Sequence, residues 1–151
     1  MAESRDYRDI RQYRIEYLNL IQGNVARMAG NSALMKGFAA TMMAAMLGMC
    51  ISDSVKWYYI AIMIIPLLAF IRLDVYYLQL EKRYRNLYAL VAAKDVDWSH
   101  FSLDLKHPEL KAHQAKIKAN SGFFRTLFSV SVIQFYVWFI ILAVLLIILI
   151  A

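Results

Sequence analysis

The sequence predicts an all-α integral membrane protein with three transmembrane helices and cytosolic helical extensions, assembled as an oligomer. Three observations carry that expectation. The windows Gly37 to Ser52, Trp57 to Ile71 and Thr126 to Ala151 contain no Asp, Glu, Lys or Arg. The chain is 61% hydrophobic over 151 residues, with mean hydropathy +0.46, well above an ordinary soluble domain. Sixteen of its 17 Lys and Arg residues fall in residues 1 to 36 and 72 to 125.

The segments follow in chain order: 1–36, a cytosolic N-terminal helix running into the first span; 37–71, a transmembrane hairpin; 72–125, a cytosolic helical region; and 126–151, a C-terminal transmembrane helix. A hydrocarbon core of about 30 Å takes roughly 20 helical residues. The third window is long enough. The first two reach spanning length if Lys36, Lys56 and Arg72 extend their charged heads back to the interface. Residues Ser52 to Lys56 are then a tight turn. The polar start lacks the short apolar run of a cleavable signal, so the first span is expected to be a permanent anchor.

Orientation follows from the basic residues. Residues 1 to 36 hold six, residues 72 to 125 hold ten, and the 52 to 56 turn holds only Lys56. The positive-inside rule places the first two groups in the cytosol, with the N-terminus inside and the C-terminus outside. The net charge of +6 then faces the cytosol.

Residues 3 to 35 read as one helix. Tyr7, Ile10, Tyr13, Tyr17, Leu18, Leu20, Ile21 and Val25 supply its apolar stripe. Arg5, Arg8, Arg11 and Arg14 recur every third residue and wind around it, flanked by tyrosines. Three readings fit that run: a solvated face balanced by Glu3, Asp6, Asp9 and Glu16; a phosphate-binding surface; or a contact for anionic lipid heads. Asn24, Arg27 and Asn31 fall on one helix face just before the first span, suiting either interhelical hydrogen bonds or a ligand at a pore mouth. Gly30, Gly37, Thr41, Ala44 and Gly48 give the small-residue spacing of close membrane-helix packing. Thr41, Met42, Ala45, Met46 and Met49 are the candidate pore lining, and Met42, Met43, Met46 and Met49 the candidate hydrophobic constriction.

The second span carries Pro66, expected to kink it, and the helix continues into a stretch that interleaves aromatic and basic residues. Residues 94 to 120 form a polar insert holding His100, His107, His113 and Pro108. His107 and Glu109 are near in sequence but nothing else converges on them, so no metal or other cofactor is expected. Cys50 has no partner cysteine and reads as a packing residue. GxSxG, GxxxxGK[ST] and HExxH are absent, so the chain is not expected to be an enzyme.

The stretches LNLIQGNVARMAGNSALMKGF, IRLDVYYLQLEKRYRNLY and FFRTLFSVSVIQFYVWFI together resemble small bacterial membrane effectors encoded beside nucleotidyltransferases in anti-phage defence loci, the HalB channels of Hailong systems above all. The resemblance spans most of the chain outside residues 94 to 120. The family form RMAxNSxxxKGW is matched here except that Phe38 replaces the usual Trp. It implies a homo-oligomeric ion channel, a tetramer, in the bacterial inner membrane. Its gating ligand would be an oligonucleotide, an oligodeoxyadenylate made by the partner nucleotidyltransferase, that holds the channel closed. Arg8, Arg11, Arg14, Asn24, Arg27 and Asn31 are the residues expected to meet that ligand. The different-class alternative is a non-conducting scaffold that tethers a cytosolic enzyme or nucleic acid to the membrane.

Overall fold

A computed structural model describes residues 2–50, 57–93 and 103–150. The described residues are predominantly helical, with no strand among them. The 52 to 56 turn, with Lys56, and His100 lie outside them. Helix α1 runs Ala2–Cys50, and α2 runs Trp57–Ala92 with Pro66 inside it. A 3-10 turn over Pro108–His113 leads into α3 (Gln114–Lys118), followed by α4 (Phe123–Leu127) and α5 (Val130–Ile150). Residues 2–50 contain no proline and are rich in Ala, Met, Leu and Arg, which is why α1 continues from its charged start into its apolar end. Pro108 opens the 3-10 turn, where its missing N–H costs nothing.

The final segment differs from a single 126–151 helix. The helix lapses over Phe128 and Ser129: Phe128 N–H still bonds Phe124 C=O at 2.9 Å, but tighter turns, Ser129 N–H to Thr126 C=O and Val132 N–H to Ser129 C=O at 3.0 Å each, carry the chain into α5. Aromatic residues and serines dominate this junction; the former lose rotamer freedom in a helix and the latter compete for backbone hydrogen bonds.

The chain divides into two compact units, Met1–Ala29 with Gln79–Gly122 and Gly30–Leu78 with Phe123–Ala151. We call them the polar and the apolar unit. Their limits on α1 and α2 lie about two helical turns beyond the edges of the charge-free windows, because Ser32, Lys36 and Asp74 belong to the apolar unit's packing.

In the apolar unit, Ala39, Met43 and Met46 of α1 meet Leu67 and Val75 of α2 and Val132, Tyr136 and Ala143 of α5. The i, i+4, i+7 spacing on α1 puts one stripe inward. Phe135 sits edge-on to Phe139 at 4.9 Å, a favoured aromatic geometry. In the polar unit, Tyr17 and Ile21 of α1 pack with Leu87, Leu90 and Val91 of α2 and with Leu110 and Ile117.

The polar unit is also tied by side chains that donate to backbone carbonyls. The Asn86 amide donates to Ile117 and Ala119 at 2.9 Å each, and Gln79 donates to Ser121 at 2.9 Å. Tyr84 O–H donates to Leu103 at 3.2 Å. Asn120 takes φ 59°, the left-handed conformation that Asn tolerates better than most residues, and this turns the chain after α3.

Candidate functional site

Within the polar unit, α1 and α2 present a cleft of about 340 Å³ lined by Gln22, Val25, Arg85 and Tyr88. Gln22, Arg85 and Tyr88 are exposed. Arg85 pairs with Glu81 one turn back at 2.6 Å, which orients the guanidinium along α2. A guanidinium, an aromatic ring and a carboxamide around one cleft match the phosphate, face and edge of a nucleotide. Arg85 and Tyr88 lie in the aromatic and basic stretch noted in the sequence, but their meeting with Gln22 depends on how α1 and α2 pair within the unit.

Arg27, exposed, donates a short hydrogen bond to the Asn24 side-chain oxygen, and the Asn24 amide donates to Leu20 C=O at 3.2 Å. Asn24 is buried and thereby positions Arg27. Asn31 is half-buried and falls in the apolar unit.

Arg14 donates to Ala92 C=O, capping the last turn of α2, so this member of the arginine run is half-buried and structural. Arg11 is exposed, and Arg8 lies on α1. Burial, followed by the neighbouring Tyr84, raises the pKa of the Tyr17 hydroxyl above its ordinary value and keeps it a neutral donor inside this unit.

In the apolar unit the pore-lining candidates separate. Thr41, Ala45 and Met49 are exposed, Met42 is half-buried, and Met46 is 1% exposed inside the unit's own core. The face of α1 bearing Gly37, Thr41, Ala44 and Gly48 is exposed, and a Cβ built at Gly37 or Gly48 meets nothing within 4 Å.

Sequence reasoning missed a buried ion pair. Lys36 Nζ lies 2.7 Å from Asp74, whose side chain is fully buried, and 3.0 Å from Ser32 Oγ. Ser32 O–H donates to Asp74 in turn. Tyr136, also buried, has Asp74 as its charged neighbour. The expected extension of Lys36 to the interface is therefore corrected: a carboxylate buried without its cation would cost more than the free lysine gains from water. Arg72 is exposed, with its guanidinium 5.0 Å from the Phe123 ring centroid. A polar pair 38 residues apart leaves no local signal.

Among the described residues no group of three or more His, Cys, Asp or Glu is arranged to hold a metal. One stretch, Ile10–Met49 of α1, is long and apolar enough to cross a membrane, and Val130–Leu145 of α5 forms a shorter apolar helix. No protein-family model, curated protein or solved structure matches the chain.

Proposed function

We propose that the chain is the membrane effector of a bacterial anti-phage defence system: a homo-oligomeric ion channel, a tetramer, kept closed by an oligonucleotide from a partner nucleotidyltransferase. Loss of the ligand opens it and depolarises the inner membrane.

The carrying observation is the outer face of the apolar unit. Leu34, Phe38, Ile62, Ile65, Leu68, Trp138, Ile140, Leu145 and Ile148 are all exposed, with Ile65, Trp138 and Ile148 at 68% each. Water tolerates few such patches, and lipid tolerates them all. Three spans, with the basic segments in the cytosol, fit this surface and the charge asymmetry. The uncovered small-residue face of α1 supports assembly, since membrane helices associate through close packing. Thr41, Ala45 and Met49 would then face the axis. Arg27, Arg85 and Tyr88 offer an oligonucleotide its contacts in the polar unit, and Arg8 and Arg11 would draw it in. The family resemblance supplies the ligand's chemistry.

Expression in cells without the partner enzyme tests this reading, with membrane potential followed by a voltage-sensitive dye. Depolarisation that co-expression of the enzyme suppresses is expected. Tolerated expression, with no conductance from purified protein in planar bilayers, would favour the scaffold. One observation speaks for that alternative: Thr41, the polar side chain of the proposed lining, already donates to Gly37 C=O at 3.0 Å. Orientation is checked by cysteine labelling at Ser54 from outside and at Ser99 only after permeabilisation.

A further inference from the structure

Ser131 and Gln134 are exposed polar residues at the start of α5, the 21-residue helix of the apolar unit. They stand three residues apart on one face and make no hydrogen bond within the described part of the chain. Unsatisfied polar groups on a lipid-facing helix are costly, so such groups face a polar partner. Together with Lys36 and Phe135 they line a cleft of about 310 Å³.

Lys36 brings a directed donor to this cleft. Of its three N–H bonds, Asp74 Oδ1 and Ser32 Oγ accept two, at 2.8 and 3.0 Å, leaving one for a ligand. The cleft thus holds an ammonium N–H, a hydroxyl and a carboxamide as donors, with the Phe135 ring as an apolar wall.

We propose that this cleft binds the phosphodiester and ester oxygens of an anionic glycerophospholipid. Asp74 offsets the lysine charge, so the site suits a singly charged diester flanked by neutral acceptors better than a doubly charged free phosphate. Exposed Arg72 and Arg125 in the same unit add positive charge that favours an anionic head over a zwitterionic one. Acyl chains would continue along the exposed aliphatic residues of α5, Val137, Ile141 and Val144.

The inference rests on the membrane-spanning reading, and flotation of full-length protein with vesicles tests that reading separately. Protein purified from vesicles of equimolar phosphatidylglycerol and phosphatidylcholine is then analysed by native mass spectrometry for retained lipid. Retention of phosphatidylglycerol is expected, reduced roughly tenfold in S131A/Q134L through loss of two hydrogen bonds. Both positions are exposed, so the variant should fold and float like the parent. Equal lipid retention by the floating variant overturns the proposal. So does displacement of the lipid by millimolar inorganic phosphate, which would make this a free-anion site. A changed single-channel conductance with lipid retention intact would place Ser131 and Gln134 on a conducting path and also overturn it. Failure to float would instead remove the membrane reading itself.

Discussion

The two units solve the burial of polarity in opposite ways. Among the described residues the polar unit buries no charged side chain fully, and it ties itself together largely with neutral side chains donating to backbone carbonyls, Asn86, Gln79 and Tyr84 among them. The apolar unit exposes aliphatic and aromatic residues and places an ion pair inside, with Asp74 wholly hidden. Under the membrane-spanning reading proposed above, the solvent explains the contrast. Where water surrounds a fold, a charge is cheapest outside; where lipid does, the same charge is cheapest within, beside its counter-ion. That contrast can be broken at one unit or the other.

Asp74→Ala should have the largest effect, because it leaves Lys36 half-buried without its counter-ion, and removing one partner of a buried pair costs about 3–5 kcal/mol. Thermal unfolding in detergent should show this loss, while the double change Lys36→Met with Asp74→Leu should recover most of it. A double variant no better than the single one would mean that the pair does more than neutralise charge.

Leu87→Ala attacks the other unit. Leu87 is fully buried among Tyr17, Ile21 and Val91, and a cavity there should cost about 2–5 kcal/mol. Hydrogen exchange should rise across residues 10 to 29 and 79 to 93 and stay unchanged in α5. Equal loss of protection in α5 would show that the two units unfold as one.

Gly37→Leu adds a side chain where the chain itself leaves open space. Fold stability should be unaffected, while the proposed oligomer should dissociate because α1 faces no longer approach closely. Size-exclusion light scattering reads the outcome, and an unchanged mass would move the contact to another helix.

The smallest effects belong to the proposed ligand surface. Arg27→Ala should weaken binding of a short oligodeoxyadenylate about tenfold by fluorescence anisotropy, since it removes a charge-assisted contact positioned by Asn24. Arg11→Ala should weaken binding less and chiefly lower the salt slope by roughly one, as a solvated charge does. Identical salt slopes for both variants would leave no distinction between a positioned and a steering arginine.

The sequence made the long elements legible. Charge-free windows and the continuous stripe from Tyr7 to Val25 anticipate helices that α1 and α2 carry out, and Pro108 anticipates a local start. What stayed hidden depends on which helix meets which. Met46 and Met49 look alike on a helical wheel, yet one is in the core and the other outside, and only the partner helices decide that. Lys36 before an apolar run reads as an interfacial anchor; its true partner is 38 residues away. Arg14 sits fourth and last in an apparently uniform arginine run, and its capping of Ala92 appears only once the end of α2 lies beside it. The interruption at Ser129 was within reach, since Phe128, Ser129 and Ser131 are poor helix formers, but high hydropathy masked it.

The Lys36–Asp74 pair also sets an order of events during synthesis. A ribosome adding about 5–20 residues per second delivers Asp74 roughly 2 to 8 s after Lys36. Until α2 arrives, the lysine lacks its counter-ion; once it arrives, an acid that lipid would penalise by about 3 kcal/mol finds the cation already waiting. Under the membrane-spanning reading, the first helix thus acts as a template for inserting the second. A chain begun after residue 36 should leave α2 poorly inserted, and restoring the first helix as a separate polypeptide should rescue it. Glycosylation mapping of insertion in microsomes would show whether it does.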